Sequence, residues 1–160
     1  MYNLVDFFSI LLLIIITLFI ALRWPAVSKI LLIALVVRLI FLFVNNHIFY
    51  LPDGDMDAKN FEQLAWKHSQ DGFYNNFNNY SGPGAYFYSF MLAIPYSLFG
   101  RSILLVQSLS ILVGIGSVFL GWLVAKKLWD NSTAKKVAWS IALFPSIVSY
   151  SVLTMREVYI

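Results

Sequence analysis

The chain has no cysteine among its 160 residues. That excludes both a disulfide framework and a thiolate metal site. Charge is also scarce: Asp, Glu, Lys and Arg make up 12% of the residues, against about a quarter in a soluble domain. With 60% hydrophobic residues and a mean hydropathy of +0.76, the chain cannot cover its own surface with polar groups. It has no glycine-rich phosphate loop, no dinucleotide-binding glycine motif and no serine-nucleophile elbow, so a soluble nucleotide-sugar enzyme is unsupported. The net charge of +3 is not a nucleic-acid signal, because the lysines cluster beside apolar runs and report topology instead. No internal repeat is present. The first apolar run lacks a basic stretch before it and a small-residue cleavage site after it, so it reads as a retained span and not a signal peptide.

What the chain does have is long apolar runs. A spanning helix needs roughly 20 mainly apolar residues. The sequence predicts an all-α, polytopic membrane helix bundle in one domain over 1–160, with four spans at about 5–22, 29–50, 103–125 and 137–153. Arg23-Trp24-Pro25 ends the first span, because proline disfavours helix in the residue before it. Arg23 and Lys29 bracket the first turn, and Lys126, Lys127, Lys135 and Lys136 bracket the last. Both basic turns are expected on the cytoplasmic side of a plasma or inner membrane. The N-terminus, the loop of about 51–102 and Met155–Ile160 are then expected outside.

The loop has order of its own. Ala58–His68 reads as an amphipathic helix with Phe61, Leu64, Ala65 and His68 on one face, stopped by Gly72. Residues 73–84 form a polar-aromatic segment with four asparagines, a composition that suits carbohydrate or a membrane-interface belt. Ala85–Phe99 is apolar but short and carries Pro95. It is expected to lie along or dip into the outer leaflet; a full crossing would move the lysine-rich turn outside.

Asp53, Asp55 and Asp57 place three carboxylates within five residues, just past the second span. Sugar transfer to a hydroxyl needs a carboxylate to take the proton, and close carboxylates can hold a hard divalent cation. The plainer reading makes Asp57 the N-cap of the following helix and Asp53-Gly54 a turn. Arg38 lies within the second span, where a guanidinium costs about 2.5–3.5 kcal/mol on insertion scales. It either holds a helix pair or a lipid phosphate, or snorkels to the basic side. Arg156-Glu157 follows the fourth span, where arginine could hold a phosphate in bidentate fashion or simply pair with its neighbour. His47 and His68 are not at metal-binding spacing. Gly114, Gly116 and Gly121 in the third span read as close helix packing.

Taken in order, Arg38-Leu39, Gly54-Asp55-Met56-Asp57-Ala58 with Phe61 and Ala65, Gly72-Phe73, Tyr86-x-Tyr88-Ser89, Ser97–Ser102, Pro145 and Leu153–Glu157 resemble the N-terminal part of a GT-C superfamily glycosyltransferase. The branch most resembled is the bacterial one related to protein O-mannosyltransferases and to lipopolysaccharide sugar transferases of the RgtA/B/C/D type. The resemblance implies a polyprenyl-phosphate-linked sugar donor, a glycan, lipid or protein acceptor, and work at the outer face of the bilayer. It implies that Asp57, then Asp55, is the catalytic base. Arg156 or Arg101 would neutralise the donor phosphate, and Glu157, Tyr86 and Tyr88 would line the substrate pocket. No cofactor is implied with certainty; a divalent cation stays open. Members usually have more spans and a C-terminal outer domain, so a longer enzyme is expected around this portion. The competing expectation is a non-catalytic multi-pass protein of cell-envelope polysaccharide assembly or export, in which the acidic loop only caps a helix. An ion-coupled transporter is disfavoured because only Arg38 lies deep in a span.

Overall fold

The computed structural model describes residues 3–72, 74–75 and 87–158. In chain order the helices are α1 (Leu4–Arg23), α2 (Pro25–His47), α3 (Asp57–Ser69), α4 (Phe87–Phe99), α5 (Ile103–Leu128), α6 (Asn131–Leu143) and α7 (Pro145–Val152), followed by a 3-10 turn at Arg156–Val158. Helices α1, α2 and α5, of 20, 23 and 26 residues, are long and apolar enough to cross a membrane. At about 1.5 Å per residue the shortest of them matches a hydrocarbon core about 30 Å thick.

The buried stripe of α1 is Ser9, Leu13, Thr17 and Ala21, one residue per turn. Three of the four are small, which lets backbones approach where burial in lipid supplies no hydrophobic drive. Its opposite face leaves Phe8, Leu12, Ile15, Phe19 and Leu22 exposed, as lipid contact requires. The turn to α2 is tighter than expected: α2 begins at Pro25 and not near Lys29. Proline costs nothing at the first helical position, where its missing N–H has no partner anyway. Trp24 forms the corner and packs its ring 4.7 Å from that of Phe119 on α5.

At the other end, the Ser102 hydroxyl caps α5 by accepting the Leu105 N–H at 3.0 Å and donates to the Asp6 carboxylate near the start of α1. Helices α1 and α5 therefore start at one end of the bundle. The turns carrying Arg23 and Lys29, and Lys126 to Lys136, lie at the opposite end. The acidic loop shares its end with the chain's first residues.

The segment expected as a fourth span is not one helix but two short ones, of 13 and 8 residues, neither long enough to cross a membrane by itself. It divides into α6 and α7 at Phe144, whose φ of −64° and ψ of 118° are extended. Pro145 is the cause, since it lacks an N–H and pushes the preceding residue out of the helical region. Arg38 lies against this break and is fully buried, so it does not snorkel. Its Nε donates to Ser151 Oγ at 2.9 Å, and its Nη1 donates to Ala34 O and Ala142 O, each at 3.2 Å.

Of the three glycines in α5, two are packed. A Cβ on Gly114 would lie 2.6 Å from Ser151 Cβ, and one on Gly121 would lie 2.3 Å from Ile141 Cδ1. Gly116 meets nothing within 4 Å, so the packing role expected for it does not apply.

Helix α4 has 13 residues, about 20 Å at 1.5 Å per residue, too short to span. It continues through Pro95 without breaking. Tyr88, Leu92 and Tyr96 of α4 join Ala65 of α3 and Val106 of α5 in a second buried cluster, which seats α3 on the bundle end.

Candidate functional site

The loop reaches α3 by folding back on α2. Asn45 Oδ1 accepts the Leu51 N–H at 3.0 Å, and Gly54 N donates to Leu51 O at 2.9 Å. Asp53 takes a left-handed conformation, φ 66°, which Asp and Asn tolerate better than most residues. Gly54 is required here: a Cβ would come within 3.0 Å of both Leu51 O and Asn45 Oδ1.

Helix α3 starts one residue earlier than expected, with Asp57 inside its first turn and Met56 at the cap position. Asp57 makes no capping hydrogen bond, so the cap expected of it is absent. Its position still suits a carboxylate, because the helix N-terminus carries partial positive charge. Among the described residues the Asp57 side chain is exposed and has no hydrogen-bond or ion-pair partner. Asp55 differs: it pairs with Lys59, and that bond raises the Lys59 pKa. The Lys59 ammonium also lies 4.3 Å from the Tyr50 ring centre.

The buried face of α3 is rotated from the expected one. Ala58, Glu62, Ala65 and Ser69 face inward, while Phe61, Leu64 and His68 flank them half-buried. A carboxylate can occupy that face because it is fully engaged. Glu62 accepts from Arg101 Nε at 2.9 Å and Nη2 at 2.8 Å, and from the Tyr96 hydroxyl at 2.9 Å. Burial, and then the Glu62 charge, push the Tyr96 pKa above its ordinary value. The Glu62 hydrogen bonds raise that of Arg101. Glu62 was not among the residues singled out from the sequence. Its only signal there was its one-turn spacing from Ala58, and nothing local pointed to Arg101 as its partner.

One cleft of about 700 Å³ gathers four further charged groups, Asp57, Lys67, Arg156 and Glu157. Asp57, Asn60, Gln63 and Lys67 of α3 line one side, and Arg156 and Glu157 the other. The tail is tied to the helix beside it: Thr154 Oγ1 donates to Ala58 O at 2.8 Å. Arg156 stacks over the Phe61 ring at 6.0 Å, and its Nε donates to Glu157 Oε1 at 3.3 Å. Lys67 has no ion pair among the described residues. The cleft therefore combines two carboxylates, one unpartnered and one paired with Arg156, with two cations and two amides. That set can accept a proton at Asp57 and hold an anion between Lys67 and Arg156.

A second cleft, of about 480 Å³, lies across α3 and is lined by Lys59, Glu62 and Arg101 together with Asp6, Asn46 and Gln107. Asn46 Nδ2 donates to Gln107 Oε1 at 3.0 Å, and Gln107 Nε2 returns a bond to Asn46 Oδ1 at 3.3 Å.

Of the residues singled out from sequence, Asp57, Arg156 and Glu157 share the first cleft, and Arg101 faces the second. Asp55 lines neither. Tyr88 is buried edge-on to Phe61, ring centres 5.6 Å apart, and lines neither cleft. Tyr86 lies outside the described residues, as does most of the polar-aromatic segment. His47 and His68 stack on Phe43 and Phe90. Among the described residues, no three His, Cys, Asp or Glu side chains form a group able to hold a metal ion.

No family model, curated protein or solved structure matches this chain.

Proposed function

We propose that the chain is a membrane glycosyltransferase, or the N-terminal portion of one, that moves a sugar from a polyprenyl-phosphate donor to a hydroxyl of a glycan, lipid or protein. The observation that carries this reading is the first cleft, where Asp57 shares one wall-to-wall space with Arg156 and Glu157, residues about a hundred positions later in the chain. Asp57 acts as general base toward the acceptor hydroxyl. Arg156 and Lys67 hold the phosphate of the departing lipid, with arginine supplying the bidentate geometry. Glu157 orients the acceptor or limits the swing of Arg156. Asp55, engaged by Lys59, is a poorer base than its neighbour, and Arg101, held by two bonds to buried Glu62, is a poorer phosphate ligand than Arg156, whose single contact with Glu157 is longer and exposed. The basic turns lie at the opposite end of the bundle, which under the positive-inside rule supports a cleft at the outer face.

The test is transfer from a polyprenyl-phosphate sugar by protein in lipid vesicles. Asp57→Asn is expected to lower the rate by about 10²–10⁴-fold, the usual worth of a positioned general base, while Asp55→Asn loses less than tenfold. Full activity of Asp57→Asn would remove that residue from the mechanism.

The non-catalytic reading draws on a specific feature. Two of the loop's carboxylates, Asp55 and Glu62, are neutralised by partners inside the fold, as in a structural acidic loop. Under that reading, polysaccharide assembly or export continues unchanged with Asp57→Asn.

A further inference from the structure

We infer that Arg38 is the positioning residue of the Asp57 cleft, acting from the interior of the bundle through α7. Its bonds define the role. One guanidinium reaches both halves of the broken helix: Ala142 O in the last turn of α6 and Ser151 Oγ in α7, while Ala34 O of its own helix steadies it. The break at Phe144-Pro145 frees carbonyls at the end of α6, and a freed carbonyl away from water needs a donor. The carbonyl end of a helix also carries partial negative charge, which favours a cation there. Arg38 has no carboxylate partner among the described residues. The helix end takes that place.

The site uses the arginine fork through Nε and Nη1, while Nη2 is buried without a hydrogen-bond partner among the described residues. A planar guanidinium presents donors in fixed, divergent directions, whereas an ammonium is a single point on a flexible stem. Gly114 leaves the room: a Cβ there would lie 3.1 Å from Arg38 Nε as well as 2.6 Å from Ser151 Cβ. A mere stabilising contact would end at Ser151. Here the backbone continues from Ser151 to the cleft. Ser151 Oγ also donates to Val148 O at 2.8 Å, back along α7, which fixes the hydroxyl that Arg38 holds. Three residues later Thr154 binds Ala58 O at 2.8 Å, next to Asp57. Arg156 and Glu157 follow at once. Helix α7, of eight residues, is thus pinned at Ser151 by Arg38 and beyond its end by α3. The distance between Asp57 and the Arg156-Glu157 pair is set by both pins.

The absence of native cysteine allows single-cysteine reporters in the full chain in lipid nanodiscs. Met155→Cys reports on the segment beyond α7, and Ala134→Cys on α6; both positions are buried, at 4% and 0% exposure. A water-soluble maleimide is the probe. Arg38→Lys and Ser151→Ala are expected to raise the labelling rate at position 155 at least tenfold and leave position 134 unchanged. Labelling at 155 unchanged in both variants overturns the inference. If Arg38→Lys exposes both positions together, the milder Ser151→Ala decides, and equal rises at 155 and 134 in that variant also overturn it. The catalytic consequence rests on the proposed sugar transfer: Ser151→Ala should raise the donor KM at least threefold, because Arg156 moves. A wild-type chain without transfer activity would sink the proposed reaction, while the labelling would still report on the positioning role.

Discussion

Replacing Arg101 with methionine tests how much of the loop end is held by charge. The substitution keeps most of the side-chain length and removes two donors from Glu62. The Glu62 carboxylate is 7% exposed and the Arg101 side chain 44%. Breaking a fully buried pair costs about 3–5 kcal/mol, and an exposed pair is worth about 0–1 kcal/mol. A pair with one end wet falls between, and we expect a loss of about 2 kcal/mol. Glu62→Leu should cost more than the charge pair alone, because it also leaves the Tyr96 hydroxyl without its acceptor, a further loss of about 1 kcal/mol. The double variant should be more stable than the sum of the singles by about 1–2 kcal/mol, since no buried Glu62 carboxylate is then left without its cation. The assay is unfolding by SDS titration in mixed micelles, followed by circular dichroism. A coupling within about 0.3 kcal/mol of zero would refute the reasoning. It would mean that Glu62 is effectively hydrated and that the apolar cluster around Tyr88 and Leu92 alone seats α3.

Other outcomes follow from the same geometry. Gly114→Ala should cost about 1–3 kcal/mol by overpacking because its obstacle, Ser151 Cβ, is fixed to the backbone. Gly121→Ala should cost less than about 1 kcal/mol, since the terminal methyl of Ile141 can rotate away; equal losses in SDS titrations would contradict this. Ser102→Ala removes the α5 cap and the link to Asp6 and should cost about 1–2 kcal/mol in the same titration. The Asp130 carboxylate accepts the Thr133 side-chain and backbone bonds and is held below its ordinary pKa. Its contribution is therefore present above the unfolded carboxylate range and lost as pH falls through the lower, folded value. Asp130→Asn should flatten the acid limb of a stability–pH profile, and an unchanged limb would exclude the effect. Single cysteines at Asp53 and Lys127 should label from opposite sides of sealed vesicles, and labelling from one side would undo the topology.

How much of this was legible in the sequence depends on the range of the interaction. The first and third spans, the helix after Asp57 and the stop near Gly72 follow from apolar length, one-turn spacing and glycine, all local properties. Pro145 was visible too, but not its effect: Pro95 is tolerated inside α4, whereas Pro145 divides the segment expected as a fourth span into α6 and α7. The difference lies in what surrounds each proline. At Pro145 a guanidinium from another helix satisfies the opened backbone, and no pattern near residue 145 records that. The face of α3 was misjudged for the same reason. Spacing favoured Phe61 and Leu64, but Arg101 and Tyr96 made burial of Glu62 the better arrangement.

The cleft divides in the same way. Sequence alone determined that Asp53, Asp55 and Asp57 cluster just past a long apolar helix and that Arg156-Glu157 follows another apolar segment, because adjacency in the chain is written in the chain. Only the tertiary structure decided that Arg156 and Glu157 face Asp57 and that Arg38 turns inward. Those outcomes depend on hydrogen bonds between residues about a hundred positions apart, whose geometry exists only once the helices have packed.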